Sequence, residues 1–207
     1  MSAISSSNGK ILPVAEHFYT LQGEGVHTGK AAWFVRLGGC DICCNWCDAR
    51  FTWEENPEWQ MEVDKLIDMI SENPSKSVVV TGGEPLMYNL DYLCAKLKEK
   101  GFSTFLETSG SFPLSGQWDW ICLSPKKHNP PIGDMYKIAN ELKVVIHDNN
   151  DFGWAEDCAS KVSESCQLLL QPEWSSYKKI IHEITEYIKR YPFWRVSLQA
   201  HKFMRIP

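Results

Sequence analysis

Short β-branched or apolar runs alternate with amphipathic stretches along most of this chain, and that alternation limits its fold more than any other feature. The pattern predicts strands over 31–37, 77–81, 103–107, 119–123, 142–146, 166–170 and 195–198. A helix is predicted over 89–100, where Leu90, Leu93, Cys94 and Leu97 share a face and Gly101 supplies a stop. A second is predicted over 176–190, with Ile180, Ile181, Ile184, Tyr187 and Ile188 on one side. Strands separated by helices imply an α/β fold with a mainly parallel sheet, and right-handed crossovers then place all strand C-termini along one edge. Because the helices are few and some are short, an open, partial β/α barrel is expected rather than a closed eight-stranded one.

Ligands bind at that edge in such sheets. The polar and glycine-rich pieces all follow predicted strands, at 38–47, 82–85, 108–110, 124–126 and 171–173. No repeat or low-complexity linker divides the sequence, so a single domain over 1–207 is expected, with 1–14 as a flexible N-terminal segment. The net charge of −5 argues against direct nucleic-acid binding, which needs a basic surface. The opening residues lack the apolar core of a secretory signal, and no apolar run of about 18 residues could span a membrane. A cytoplasmic location follows as an expectation, and there the eight cysteines read as metal ligands or buried thiols rather than disulfides.

Four of those cysteines crowd into the loop after the strand at 31–37. Cys40, Cys44 and Cys47 form C-x3-C-x2-C, and three thiolates on one short loop can hold three corners of a cubane cluster while the fourth iron stays open. Trp46 is placed to pack beside such a cluster and limit solvent access. The competing reading is a structural zinc site that uses Cys43 as well, but four tetrahedral ligands from so short a stretch would be cramped. Cys43 is therefore read as a bystander, and Cys94, Cys122, Cys158 and Cys166 as buried free cysteines.

The cysteine loop followed by Gly82-Gly83-Glu84-Pro85 after the next strand resembles the radical S-adenosylmethionine (SAM) superfamily. Within it, the chain from Phe18 onward is similar to the 7-carboxy-7-deazaguanine synthase family. The resemblance is carried by Leu21-Gln22-Gly23-Glu24-Gly25, Arg36, Cys47-Asp48 with Phe51-Thr52-Trp53, and Thr81 through Pro85. It continues in Glu107-Thr108-Ser109-Gly110, Ser124-Pro125-Lys126, Gln171-Pro172, Ser197 through Lys202, and the ending Arg205-Ile206-Pro207. The resemblance implies a radical SAM lyase that converts 6-carboxy-5,6,7,8-tetrahydropterin to 7-carboxy-7-deazaguanine with loss of ammonia, in queuosine and other deazapurine biosynthesis. A 4Fe–4S cluster on Cys40, Cys44 and Cys47 would cleave SAM reductively, and SAM would be regenerated.

Residue roles follow from the same resemblance. Leu21, Gln22, Gly23, Glu24, Arg36, Thr81 and Pro207 are expected at the pterin, with Arg36 on its carboxylate, a pairing that suits a bidentate guanidinium. Gly82, Gly83, Glu84, Ser124, Pro125, Lys126, Gln171, Pro172 and Glu173 are expected at SAM, with Glu84 offering a carboxylate to its ammonium. His201 and the other histidines are read as structural. The family also implies Mg²⁺ on a threonine hydroxyl after Cys47-Asp48; Ala49 stands there and has no lone pair, so reduced Mg²⁺ dependence is expected. A flavodoxin or ferredoxin as electron donor, and a homodimer, are further implications. A glycyl-radical activating enzyme is the alternative enzyme, and a zinc-stabilised binding domain the non-catalytic one.

Overall fold

The computed structural model describes residues 8–207, so the first seven residues of the expected N-terminal segment lie outside the described residues. Nine strands form one sheet: β1 (Ile11–Leu21), β2 (Ala31–Leu37), β3 (Gln60–Glu62), β4 (Ser77–Gly82), β5 (Ser103–Thr108), β6 (Trp120–Leu123), β7 (Glu141–Ile146), β8 (Gln167–Pro172) and β9 (Trp194–Val196). Their spatial order is β3-β1-β2-β4-β5-β6-β7-β8-β9. From β2 to β9 every neighbouring pair is parallel, while β1 runs antiparallel to both β2 and β3. The helices are α1 (Val63–Ser71), α2 (Asp91–Glu99), α3 (Met135–Ile138), α4 (Asp151–Ala159), α5 (Tyr177–Arg190) and α6 (Ala200–Met204).

Period-two alternation explains the two faces of this sheet. On the helix-covered side, Val35, Leu37, Val78, Val80, Leu106, Leu142, Val144 and Leu170 join one buried apolar cluster with Leu66, Ile70, Leu93, Leu97 and Ile184 from the helices. The residues between them point to the opposite, concave face. There a small apolar floor of Ala32, Phe34 and Val79 gives way, toward the strand ends, to Arg36, Thr81, Glu107, Lys143 and Gln171. Cys94, Cys122, Cys158 and Cys166 are free and buried.

The sheet is rolled but not closed. In a flat sheet β7 would lie five strand spacings, roughly 24 Å, from β1. Glu24 stands just beyond the end of β1, where the intervening chain spans only about 10 Å. Its carboxylate nonetheless meets the Lys143 ammonium of β7 at 2.5 Å. Only a strongly curled sheet allows that contact.

Several elements differ from the sequence expectation. β1 begins at Ile11, inside the stretch expected to be flexible, and Leu12 and Val14 are buried with 1% and 5% of their surface exposed. Pro13 and the Glu16-His17 pair obscure the strand pattern, yet Pro13 sits near the strand start and its carbonyl accepts the Gly38 N–H at 2.8 Å. The strand β3 and the helices α1, α3, α4 and α6 are also additions; α1 buries Val63, Leu66, Ile67 and Ile70 at helical spacing.

Candidate active site

One cavity of about 410 Å³ opens at the C-terminal edge of the parallel strands. Of the residues expected at cluster, SAM and substrate, all line it except Pro125, which is buried behind the Ser124–Lys126 turn. The cavity also takes in side chains given no role from the sequence, among them Glu107, Lys143, Gln199, His201 and Lys202.

The cysteine loop is held by its backbone. Gly39 and Cys40 donate N–H groups to the carbonyls of Thr52 (2.7 Å) and Trp53 (3.0 Å), and Cys47 donates to Cys44 (2.9 Å). His128 Nε2 lies 2.8 Å from the Ile42 carbonyl, and the Tyr88 hydroxyl 2.8 Å from that of Gly38. Cys40, Cys44 and Cys47 face the cavity; Cys43, at φ 48°, is exposed and turns its thiol back to the Cys40 carbonyl. Among the described residues no three His, Cys, Asp or Glu side chains converge as ligands of a single ion would. A cubane asks instead for thiolates around separate corners. Burial pushes the Cys40 and Cys44 thiols up, so ligation to iron must displace their protons.

The Gly82-Gly83-Glu84-Pro85 turn packs directly on that loop. A Cβ on Gly83 would lie 2.1 Å from the Gly39 carbonyl oxygen and 2.9 Å from Cys40 Cβ, and Gly82 adopts φ 143°. Only glycine permits this approach. Glu84 departs from the expectation. It is 1% exposed, and its carboxylate accepts from the Leu86 N–H (3.0 Å), Thr108 Oγ1 (2.6 Å), the Ser109 N–H (2.8 Å) and Ser109 Oγ (2.5 Å). Four donors fill the carboxylate's lone-pair sites, so Glu84 ties β4 to the end of β5 rather than presenting a free carboxylate. A cluster and SAM nonetheless fit the donor set: three cavity-facing thiols beside a glycine turn without room for side chains.

On the opposite wall, Lys143 carries the charge balance. Its ammonium contacts Glu24 Oε2 (2.5 Å) and Glu107 Oε2 (3.1 Å). Gln22 Nε2 donates to Glu107 (2.8 Å) and its Oε1 accepts the Glu24 N–H (3.1 Å). Gln171 and Gln199 donate to Glu24 at 3.1 and 2.9 Å. Burial alone would raise the Glu24 pKa, but Lys143 and these hydrogen bonds outweigh it and hold the carboxyl at about 2. Burial opposes the charge on Lys143 too, and the surrounding acidic groups prevail, holding it well above the usual lysine range. Two carboxylates on one ammonium leave this wall net negative, suited to a ligand edge rich in N–H donors.

The remaining residues take definite places. Arg36 donates through Nε to its cross-strand partner Glu16 at 2.6 Å and lines the cavity. Lys126 contacts Ser124 Oγ (2.8 Å), lies 5.5 Å from the Trp46 ring centre and is drawn down from the usual lysine range by burial. Gln171 bridges Glu24 to Ser197 Oγ (2.8 Å). Glu173 caps the turn at 174–176, accepting from the N–H groups of Ser175 and Ser176, each at 2.9 Å. His201, read as structural, lines the cavity and packs where a Gly23 side chain would be. At position 49 the residues do not fit Mg²⁺. Ala49 offers a methyl group, its carbonyl accepts Thr52 Oγ1 (2.8 Å), and Asp48 is engaged by Lys202 (2.6 Å) and Gln199 (3.0 Å).

Comparison with known proteins agrees with this architecture. Residues 34–123 match the Radical SAM superfamily model. The 7-carboxy-7-deazaguanine synthase of Flavobacterium psychrophilum is 45% identical over 204 residues, covering 99% of this chain and 97% of that protein. The enzyme of the same name from Synechocystis is 46% identical over 194 residues, covering 94% and 93%. The crystal structure of QueE from Escherichia coli superposes with a TM-score of 0.82 at 29% identity, covering 95% of this chain and 100% of that one. The chain belongs to the 7-carboxy-7-deazaguanine synthase family of the radical SAM superfamily.

Proposed function

We propose that this chain contracts the ring of 6-carboxy-5,6,7,8-tetrahydropterin to give 7-carboxy-7-deazaguanine and ammonia. The observation that carries the reading is the meeting, in one cavity, of the Cys40–Cys44–Cys47 loop, the Gly82-Gly83 turn and the Glu24–Lys143–Glu107 wall. The cluster and SAM together supply, when bound, a carbon-centred radical able to take hydrogen from an unactivated C–H bond.

The chain's own residues bind, orient and shield. Gln22, Glu24 and Glu107 present acceptors to the N–H edge of the pterin, with Leu21 and Gly23 shaping that rim. Arg36 pairs with the pterin carboxylate. Thr81 offers a hydroxyl from the sheet edge, and Pro207 closes the same cavity. Ser124 and Lys126 hold the carboxylate end of SAM, while Pro125 fixes the turn that positions them. The backbone of Gly82 and Gly83 approaches its methionyl part, with Glu84 as the brace behind, and Gln171, Pro172 and Glu173 border its adenosine. Phe18, Phe34 and Trp174 make the remaining wall apolar and exclude water from the reacting carbon.

Around this core the reading includes a single domain, a flavodoxin or ferredoxin as reductant, a homodimer and a cytoplasmic setting. Among the described residues no helix is long and apolar enough to cross a membrane. The test is anaerobic reconstitution with iron and sulfide, then incubation with SAM, dithionite and the carboxypterin. Mass spectrometry should find 7-carboxy-7-deazaguanine without net SAM consumption. SAM cleavage to 5′-deoxyadenosine without that product would assign a different substrate.

A further inference from the structure

Position 49 needs a positive charge from somewhere if a substrate carboxylate is to be neutralised on that side of the cavity, and the oxygen ligands for a divalent ion are missing. Ala49 has no side-chain oxygen, and its carbonyl accepts both the Thr52 N–H (2.9 Å) and Thr52 Oγ1 (2.8 Å). Thr52 itself is fully buried. Asp48 is the remaining oxygen donor, and its Oδ2 holds the Lys202 ammonium at 2.6 Å. Gln199 engages the same Oδ2 at 3.0 Å, so a divalent ion on the other oxygen would share one carboxylate with an ammonium, an arrangement that like-charge repulsion opposes.

We infer that Lys202 supplies the charge that a metal ion would supply here, so that its ammonium, and not Mg²⁺, joins Arg36 in neutralising the substrate carboxylate beside Ala49. The inference rests on the proposed pterin chemistry and adds to it a specific countercharge. Lys202 is fixed for this task. Its Nζ donates to Asp48 Oδ2 and to Gln199 Oε1 (3.1 Å), and it lies 5.0 Å from the Trp174 ring centre. An ammonium has three donors, so one remains for a ligand. The side chain is only 19% exposed and lines the cavity, and Gln199 links it to Glu24 across the same wall. Of the other lysines in the cavity, Lys143 is engaged by two carboxylates and Lys126 by Ser124 on the opposite loop.

The test uses the reconstituted holoenzyme with SAM, treated with EDTA. Metal uptake is read by the electron paramagnetic resonance of added Mn²⁺, and carboxypterin affinity by calorimetry without reductant. Both precede turnover, so they judge Lys202 whether or not product forms. The native enzyme should leave Mn²⁺ free, with or without the pterin, and should bind the pterin equally well with EDTA or excess Mg²⁺. Lys202→Met should weaken pterin binding at least tenfold, and Lys202→Arg should recover most of that loss; the arginine variant separates lost charge from lost packing. Stoichiometric Mn²⁺ uptake by the native enzyme would overturn the inference. So would pterin affinity in Lys202→Met within twofold of native, with cluster content unchanged.

Discussion

Lys143 and Glu24 stand 119 positions apart in the chain, yet the ammonium of one lies 2.5 Å from the carboxylate of the other. Lys143 is 4% exposed, and its second acceptor is Glu107 at 3.1 Å. Replacing Lys143 with Met removes the shared cation and leaves two partly buried carboxylates facing each other. Loss of one partner from such a cluster costs about 3 kcal/mol or more. Urea denaturation of Lys143→Met should show that loss, and Lys143→Met with Glu24→Gln should regain part of it.

The same carboxylate makes stability depend on acid. The folded pKa of Glu24, about 2, lies below its ordinary value of 4.5, so between those limits the folded chain binds fewer protons than the unfolded one. Its contribution is complete above about pH 4.5 and is lost as the pH falls toward about 2. Native stability should decline by about 2 kcal/mol from this group between pH 6 and pH 3. Urea titrations across that range should show a correspondingly shallower decline in Glu24→Gln.

Cluster ligation should follow the direction each thiol faces. Cys40→Ala, Cys44→Ala and Cys47→Ala should each abolish stable iron and sulfide incorporation, whereas Cys43→Ala, at an exposed position turned from the cavity, should retain it. Iron and sulfide per chain after anaerobic reconstitution, with the visible absorbance, decide the point. A Cys43 variant that alone lost its cluster would reverse the ligand set.

Gly83→Ala tests the contact between the glycine turn and the cysteine loop. The added methyl would sit 2.1 Å from the Gly39 carbonyl oxygen, a backbone atom that cannot swing aside. Displacing the loop should cost about 2 kcal/mol of stability. It should also lower both cluster content and SAM affinity, measured by iron analysis and equilibrium dialysis.

The parallel part of the sheet was legible in the sequence because its signals are local. Each of β2, β4, β5, β6, β7, β8 and β9 overlaps a run recognised by apolar alternation, and Cys40, Cys44, Cys47, Gly82 and Gly83 announce their chemistry by spacing. β1 was hidden because Pro13 and adjacent polar residues mask a strand whose burial comes from both neighbours. Lys143 was hidden for another reason. A charged residue in the run Glu141–Ile146 is informative only once the sheet curls and brings Glu24 to it. The alternation of Glu141 and Lys143 with Leu142 and Val144 was the available clue, since charges at period two within an apolar strand mark an inward polar face. Glu84 showed the opposite limit: its identity was evident, but its engagement by Thr108 and Ser109 depends on a neighbouring strand.

The bridge from β1 to the far strands also orders events in time. The cysteine loop is fastened to Thr52 and Trp53 by backbone bonds that close short loops and so form early, ahead of its ties to Glu84 and His128. The wall around Glu24 is fastened by pairs of large sequence separation: Gly25 to Ser197 across 172 positions and Gln199 to Glu24 across 175. Such distant pairings are slow to form during folding. A refolding chain should therefore acquire its iron-binding loop before its substrate pocket, and the appearance of turnover should lag the appearance of bound iron. Catalysis in this molecule is a clock for the last step of folding.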